Sequence, residues 1–453
     1  MRFHREKTAS SIHAFRLLAA CLVACLAFVW TSLPARAASL VRDADIEHAL
    51  SRMAAPLLTA SGLGGNVRIL LINDRSLNAF VIDSQHIFIH TGMISKMDTP
   101  EKLQAVIAHE AAHIANGHIA RRMANIDSAR SLAGLGMALA LVAAAASGRG
   151  DVAGGLALGV QSAAERQFLA HSRAEEASAD QSGVRYMAAA GIDPLGAVQV
   201  HEVFAGQELL TVSRQDPYTR SHPLTRDRMR AMQRFVSAYS GKSAPQPEME
   251  YWYERARGKV TAFTNPPNWT LKRAAESKAD DVRLMREAVA YHRLSDRTTA
   301  LNRIDRAIAQ RPNDAYYYDL KGQILLEGRQ FNDAVKAYSR AAELAPGNPL
   351  ILGGLGRALL TVNRPKEALK HLEKARQRDF RDPRILRDLG SAYAQVGNNG
   401  MASLSTAERY ALQGRLKDAA IHAKRASGLL PRGSGPWRRA EDIIVAAKRA
   451  AQK

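Results

Sequence analysis

The chain has 453 residues, of which 46% are hydrophobic and 23% charged, and its formal net charge is +20. This ordinary balance excludes a wholly disordered or fibrous protein, and the length suits two or three domains. We find no nucleic-acid-binding motif, so we attribute the positive charge to solvated helical faces and expect no nucleic-acid partner.

The N-terminus has the layout of a secretory signal peptide. Basic residues precede an apolar run over 17–30, and a small-x-small cleavage site follows at 35–37. The run is shorter than the roughly 20 residues that a membrane span needs. We therefore predict a signal peptide over residues 1–37 and export to a bacterial periplasm. Both cysteines, Cys21 and Cys25, lie in this leader, and lipid attachment at Cys21 is the minor alternative.

The segment after the leader mixes helices with short strands. Apolar residues at helical spacing predict a helix over 43–58. β-rich runs at 67–72, 79–82 and 87–89 predict three strands joined by turns.

Two further helices flank a nearly uncharged stretch. Thr99 and Pro100 mark the start of one helix, which we expect to reach about residue 122, and the second covers 172–190. The alanine-rich stretch 131–164 between them fits a pair of packed helices. A hairpin that touches a membrane is the alternative, and the pattern leaves both open.

The C-terminal part carries an internal repeat. Residues 241–275, rich in proline and aromatic residues, are interpreted as a linker between a domain at 38–240 and one at 276–453. From about residue 281 small residues recur every 34 positions, which is the tetratricopeptide pattern of paired helices: Ala300, Ala334, Ala368; Ala307, Ala341, Ala375; Gly322, Gly356, Gly390. After Gly397 the phase slips into a degenerate unit, and a capping helix is expected near the C-terminus.

The sequence HEAAH at 109–113 predicts a metal site. His109 and His113 lie four residues apart, so their imidazoles project from one face of a helix and can bind one zinc ion. A bound zinc acidifies a water molecule, and the carboxylate of Glu110 is placed to accept its proton. The alternative is that both histidines lie on an exposed helix surface and bind no metal, but the surrounding apolar residues predict burial.

A catalytic zinc needs a third protein ligand. The extended motif with a third histidine is excluded because Ile119 occupies that position, and His118 is one residue out of register. A carboxylate on the later helix is expected instead. Glu176 is the candidate ligand, and Asp180, four residues on, could orient one of the histidines.

HEAAH, then Glu-Ala-Ser-Ala-Asp at 176–180, then Ser-His-Pro at 221–223, resembles the HtpX/Oma1 superfamily of zinc peptidases. With the leader and the repeats, the chain is similar to the BepA-like periplasmic branch of β-barrel assembly-enhancing proteases. The resemblance implies His109, His113 and Glu176 as ligands and Glu110 as general base. It also implies that the strand region 78–89 offers an edge to substrate backbone.

The resemblance also implicates His222, followed by Pro223 and then Arg228. His222 could donate a hydrogen bond to the tetrahedral intermediate, or it could fill the fourth zinc position and hold the enzyme latent. A loop histidine with neither role remains the alternative. His118 and Arg228 are expected to support the site.

We expect an α+β zinc-peptidase domain of the gluzincin type, mostly helical with a small sheet, followed by an all-α tetratricopeptide solenoid. The expected function is zinc-dependent endoproteolysis of misassembled or stalled outer-membrane or periplasmic proteins, with one Zn²⁺ per chain. The repeats would recruit protein substrates or the outer-membrane assembly machinery. A chaperone or scaffold with a latent or structural zinc site is the alternative.

Overall fold

A computed structural model describes residues 40–122, 172–211, 214–239, 243 and 246–452 of the chain. The predicted leader with Cys21 and Cys25, and the apolar stretch 131–164, lie outside the described residues. The described residues belong to one compact unit.

The N-terminal part is an α+β domain, which confirms the predicted fold class. Its strands are β1 (Leu40–Val41), β2 (Arg68–Ile72), β3 (Ala79–Val81) and β4 (His86–His90). Its helices are α1 (Ala44–Ala60), α2 (Thr91–Lys96), α3 (Pro100–Ala115), α4 (Arg173–Ala189), α5 (Leu195–Val203), α6 (Pro217–Ser221) and α7 (Arg226–Ser237).

The sheet has the order β1-β2-β4-β3, with β2 and β4 parallel and the outer strands antiparallel. Only β3 of the expected edge region 78–89 is an edge, because β4 lies between β2 and β3. The edge-strand prediction is therefore wrong for residues 86–89. The two-residue strand β1 is too short for a sequence pattern to reveal it.

Helices α1 and α3 pack together in one apolar core. Their buried residues in this core include Leu50, Met53, Val106 and Ile107. The amide of Gln104 also donates to the carbonyl of Met53 at 3.3 Å. These contacts anchor α3, the helix that carries HEAAH.

Helix α3 ends earlier than predicted. It ends at Ala115 instead of about residue 122, because Gly117 adopts a left-handed φ of 70°. A new helical segment begins at His118. This break turns His118 back towards α3.

The segment interpreted as a linker, 241–275, contains two helices, α8 (Pro247–Thr264) and α9 (Pro267–Ala274). Each proline occupies the first helical turn, where its missing N–H costs nothing. Tyr253, Ala256 and Val260 of α8 belong to the core of the N-terminal domain. The proline-rich composition therefore marks helix starts and not an extended linker.

The repeats form paired helices: α10 (Asp280–Arg293), α11 (Arg297–Gln310), α12 (Ala315–Glu327), α13 (Phe331–Leu344), α14 (Pro349–Thr361), α15 (Pro365–Arg378), α16 (Pro383–Gln395), α17 (Asn399–Leu412), α18 (Leu416–Leu429) and α19 (Gly435–Ala451). The periodic glycines have a steric reason. A Cβ on Gly322 would lie 2.7 Å from the ring of Tyr338, and one on Gly356 would lie 2.4 Å from Leu372. Within the described part of the chain, no helix combines the length and apolar composition needed to cross a bilayer.

Asp319 of α12 gives stability a pH dependence. The pKa of Asp319 is raised to about 7, mainly by burial. The carboxylates of Asp43 and Asp45 also raise it, whereas the ammonium of Lys259 lowers it. Because the folded-state pKa exceeds the unfolded one, this contribution favours the fold at low pH and is lost as the pH rises towards 7.

We predict that Asp319→Asn melts above the wild type at about pH 8, and that this difference shrinks towards about pH 5. Thermal unfolding across this range checks it. Asp333→Asn, an exposed carboxylate on the next helix, is the matched control. Parallel pH profiles for the wild type and Asp319→Asn would contradict the expectation.

Candidate metal centre

Helix α3 places the HEAAH side chains inside the protein. Thr99 caps the helix by accepting from the N–H of Lys102. The apolar face of α3 enters the core, and the same turns bury His109, Glu110 and His113, which are 7%, 0% and 0% exposed. The prediction of buried histidines is thus confirmed.

Helix α4 brings two carboxylates to α3. Ser172 and Glu175 form a capping box that starts the helix. One amide at the end of α3, that of Asn116, donates to the hydroxyls of Ser178 at 3.0 Å and Ser182 at 3.2 Å. The two helices are therefore tied together on the side where Glu176 and Asp180 are buried.

His222 reaches the same place from the end of α6. Its Nδ1 lies 3.0 Å from Oε1 of Glu176, and its Nε2 lies 3.3 Å from Oε1 of Glu110. The ring of Tyr218, one helical turn earlier, lies against the imidazole with centroids 4.6 Å apart. The contact with Tyr218 thus holds His222 in the interior, where it is 3% exposed.

Four side chains converge on one point. Among the described residues, donor atoms of His109, His113, Glu176 and His222 lie within 4.8 Å of one another. The Nε2 atoms of His109 and His113 are 3.1 Å apart, and Glu176 lies 3.4 Å from His113 and 3.5 Å from His109. Such a buried set of nitrogen and oxygen donors is suited to a metal ion.

A second layer orients these donors. Asp180 lies 3.1 Å from Nδ1 of His109. Arg228 donates to both oxygens of Asp180 at 2.8 Å and contacts Glu176 at 2.8 Å. The Nδ1 atoms of His113 and His118 are 2.9 Å apart. All the site residues expected from the sequence therefore meet in one cluster.

The protonation of the cluster depends on its carboxylates. Burial opposes the charged form of His109, but hydrogen bonds to Asp180 and Glu176 outweigh it and raise its pKa to about 10. Burial lowers the pKa of His113 well below its usual value and raises that of Glu110. Strongly perturbed groups in one buried cluster are typical of a functional site.

Sequence reasoning missed two residues of this cluster. His201 of α5 is 8% exposed, and its Nε2 lies 3.7 Å from Asp180. Burial disfavours ionised Asp180, but hydrogen bonds from His109 and His201 and the charge of Arg228 hold its pKa well below the usual value. His201 follows no motif, and Tyr218 precedes the Ser-His-Pro motif without a recognisable spacing, so neither could be found from the pattern.

Comparison with known proteins decides the family. The sequence model of peptidase family M48 matches residues 41–236, and that of a tetratricopeptide repeat family matches residues 325–389. Metalloprotease LoiP of Escherichia coli K12 is 30% identical over 207 residues, which cover 43% of this chain and 75% of that protein. The chain is a member of peptidase family M48. It is therefore a metallopeptidase with C-terminal tetratricopeptide repeats.

Other relatives share more of its length. The β-barrel assembly-enhancing protease of E. coli K12 is 26% identical over 405 residues, covering 88% of this chain and 82% of that protein. Its Yersinia pestis counterpart is 23% identical over 368 residues, covering 80% and 75%. A solved structure of MamA covers 36% of this chain at 20% identity with a TM-score of 0.31.

We predict that Asp180→Asn weakens metal binding by about tenfold or more, the usual effect of losing a carboxylate that orients a histidine ligand. The substitution removes the charge that holds both His109 and Arg228. Competition with a chelator measures the affinity. Asp227→Asn, a highly exposed carboxylate beside Arg228, is the control, and equal affinities for both variants would exclude the orienting role of Asp180.

Proposed function

We propose that this metallopeptidase is a zinc endopeptidase in which His109, His113 and Glu176 hold the metal and Glu110 is the general base. The convergence of these donors with His222 within 4.8 Å is the observation that carries the proposal. Imidazole and carboxylate donors around a small buried point suit zinc better than calcium or magnesium, which prefer oxygen.

The charge of the cluster supports a divalent cation. The carboxylates Glu110, Glu176 and Asp180 are all buried, and among the described residues Arg228 is the permanently charged partner that contacts two of them. With His109 neutral, as metal binding requires, two negative charges remain, which is the charge that one divalent cation neutralises. Without it, burial of ionised carboxylates is unfavourable.

Glu110 is suited to move protons. Its carboxylate is fully buried next to His109 in sequence, and Nε2 of His222 lies 3.3 Å from its Oε1. It can therefore take a proton from the attacking water and deliver it to the leaving amine. Bound zinc would acidify that water and polarise the scissile carbonyl.

His222 supports a latent state. Its contact with Glu176 and its 3.3 Å separation from His109 put it in the donor set itself. We propose that it fills the fourth position at rest. Once displaced, it would be placed to donate a hydrogen bond to the tetrahedral intermediate, which is the other role expected from the sequence.

Substrate backbone would pair with β3. In the β3–β4 ladder the N–H of His90 donates to the carbonyl of Asn78, so the polar groups of Ala79 and Val81 turn to the open side. The N–H of Tyr218 donates to the carbonyl of Leu77 at 3.1 Å, which closes one end of this edge. An added strand along Ala79–Val81 would hold peptides of varied sequence.

We propose that the protein acts in the periplasm on misassembled or stalled envelope proteins. The leader-like N-terminus supports export, and the relatives named β-barrel assembly-enhancing protease support a role in outer-membrane assembly. The repeats would recruit substrates or the assembly machinery. A set of four protein donors also favours a second candidate function, that of a scaffold whose metal site stays closed.

Glu110→Gln separates these functions. We predict that it lowers cleavage of an unfolded outer-membrane protein by about a hundredfold or more, since general-base catalysis contributes that much, while the metal content stays at one zinc per chain. Val106→Ala, one turn earlier on α3, is the control for damage to the helix. Undiminished cleavage by Glu110→Gln would refute the mechanism, and full support of envelope assembly without cleavage would favour the scaffold.

A further inference from the structure

Helix α8 is shared by two hydrophobic cores. Tyr253 and Val260 lie in the core that also contains α1 and α3, and the hydroxyl of Tyr253 donates to the carbonyl of Met97. Ala262, two residues after Val260, lies in the core of the first repeat with Val282 and Leu284. A single rigid helix therefore joins the peptidase core to the repeats.

Arg255, near the middle of α8, is 0% exposed and connects both parts. Its Nε donates to Asp45, in the first turn of α1, at 2.6 Å. Its two terminal nitrogens donate to Asp314 at 2.5 and 2.9 Å. Asp314 is also the N-cap of repeat helix α12. One guanidinium thus bridges a peptidase helix and a repeat helix with fork geometry.

Aromatic rings enclose the guanidinium. The ring centroid of Tyr317 lies 4.1 Å from Cζ of Arg255, and that of Trp252 lies 5.5 Å away. The hydroxyls of Tyr251 and Tyr317 both donate to Asp281 of α10. The bridge is shielded from water, so its charge-assisted hydrogen bonds are strong and costly to break.

This junction is connected to the metal centre by direct packing. Asp45 lies in the first turn of α1, and α1 packs against α3 through the shared core and the hydrogen bond from Gln104 to Met53. Helix α3 carries His109, Glu110 and His113. A rotation of the repeats relative to the metal centre would therefore break the Asp45–Arg255–Asp314 bridge.

We propose that Arg255 is a positioning residue that fixes the repeat array relative to the metal-bearing helix, so that a protein held by the repeats meets the active site in one orientation. This rests on the proposed function, because it assumes that the repeats hold substrate. Arg255 touches no reacting group, and its effect is specific to substrates that span both parts.

The test compares two substrates with the full chain carrying Arg255→Lys. Lysine keeps the charge but lacks the fork that reaches Asp45 and Asp314 together. Cleavage of a short fluorogenic peptide should stay within about twofold of wild type. For a long unfolded protein, kcat/KM should fall about tenfold, mainly through a higher KM, because the variant loses substrate positioning by the repeats but keeps the chemical step.

Calorimetry supplies a readout that does not depend on activity. The shared core predicts one unfolding transition in the wild type, and Arg255→Lys should split it into two because the repeats then unfold separately. Simple destabilisation would lower a single transition without splitting it.

Two further variants keep the test decisive. Asp314→Asn retains the N-cap bonds to the N–H groups of Tyr316 and Tyr317 but removes the charge, and it should behave like Arg255→Lys. Arg283→Lys, whose partners Asp280 and Glu287 lie within α10, is the matched control and should change nothing.

An unchanged ratio of protein to peptide cleavage in both junction variants, with one transition, overturns the proposal. An equal loss on both substrates also overturns it, because it indicates general structural damage. If neither the wild type nor His222→Ala, which opens the fourth position, cleaves either substrate, the proposed function is refuted instead, and calorimetry still tests the coupling.

Discussion

An ionised side chain can be buried only with a compensating charge close by, and this constraint governs the protein at two places. At the metal centre, Asp180 is held between Arg228 and His109, while Glu176 forms an ion pair with the same guanidinium. The remaining negative charge gives the site its affinity for a cation. The geometry of the cluster is therefore inseparable from its electrostatics.

The same constraint joins the two parts of the chain. Arg255 and Lys259 of α8 are buried, and they are compensated by carboxylates at the start of α1 and at the N-cap of α12. Helix α8 can bury these cations only while both parts remain in place. The family M48 domain and the tetratricopeptide repeats are in this way joined in a single continuous framework.

Local patterns predicted much of the fold and the site. Three patterns were informative: the four-residue spacing of His109 and His113, the later acidic pair on α4 and the 34-residue period. Each arises within one helix or one pair of helices, so a short stretch of sequence is enough to reveal it. Steric demands such as Tyr338 over Gly322 explain why the repeat period is visible at all.

Features that depend on distant partners could not be predicted. Asp45 and Arg255 are 210 residues apart in the chain, and nothing in either segment indicates the other. The prolines at 247 and 267 suggested a linker because their role as first helical residues depends on burial of α8 in two cores. His201 has no motif of its own and becomes part of the site only through Asp180.

We propose that His109, His113, Glu176 and His222 form one metal site that His222 closes at rest. X-ray absorption at the zinc edge of the full chain tests it most directly, because it counts imidazole ligands. We predict three imidazoles and a carboxylate in the wild type and two imidazoles in His222→Ala, with zinc retained. The same imidazole count in both proteins, or a shell made only of oxygen, would show that His222 is not a ligand of this site.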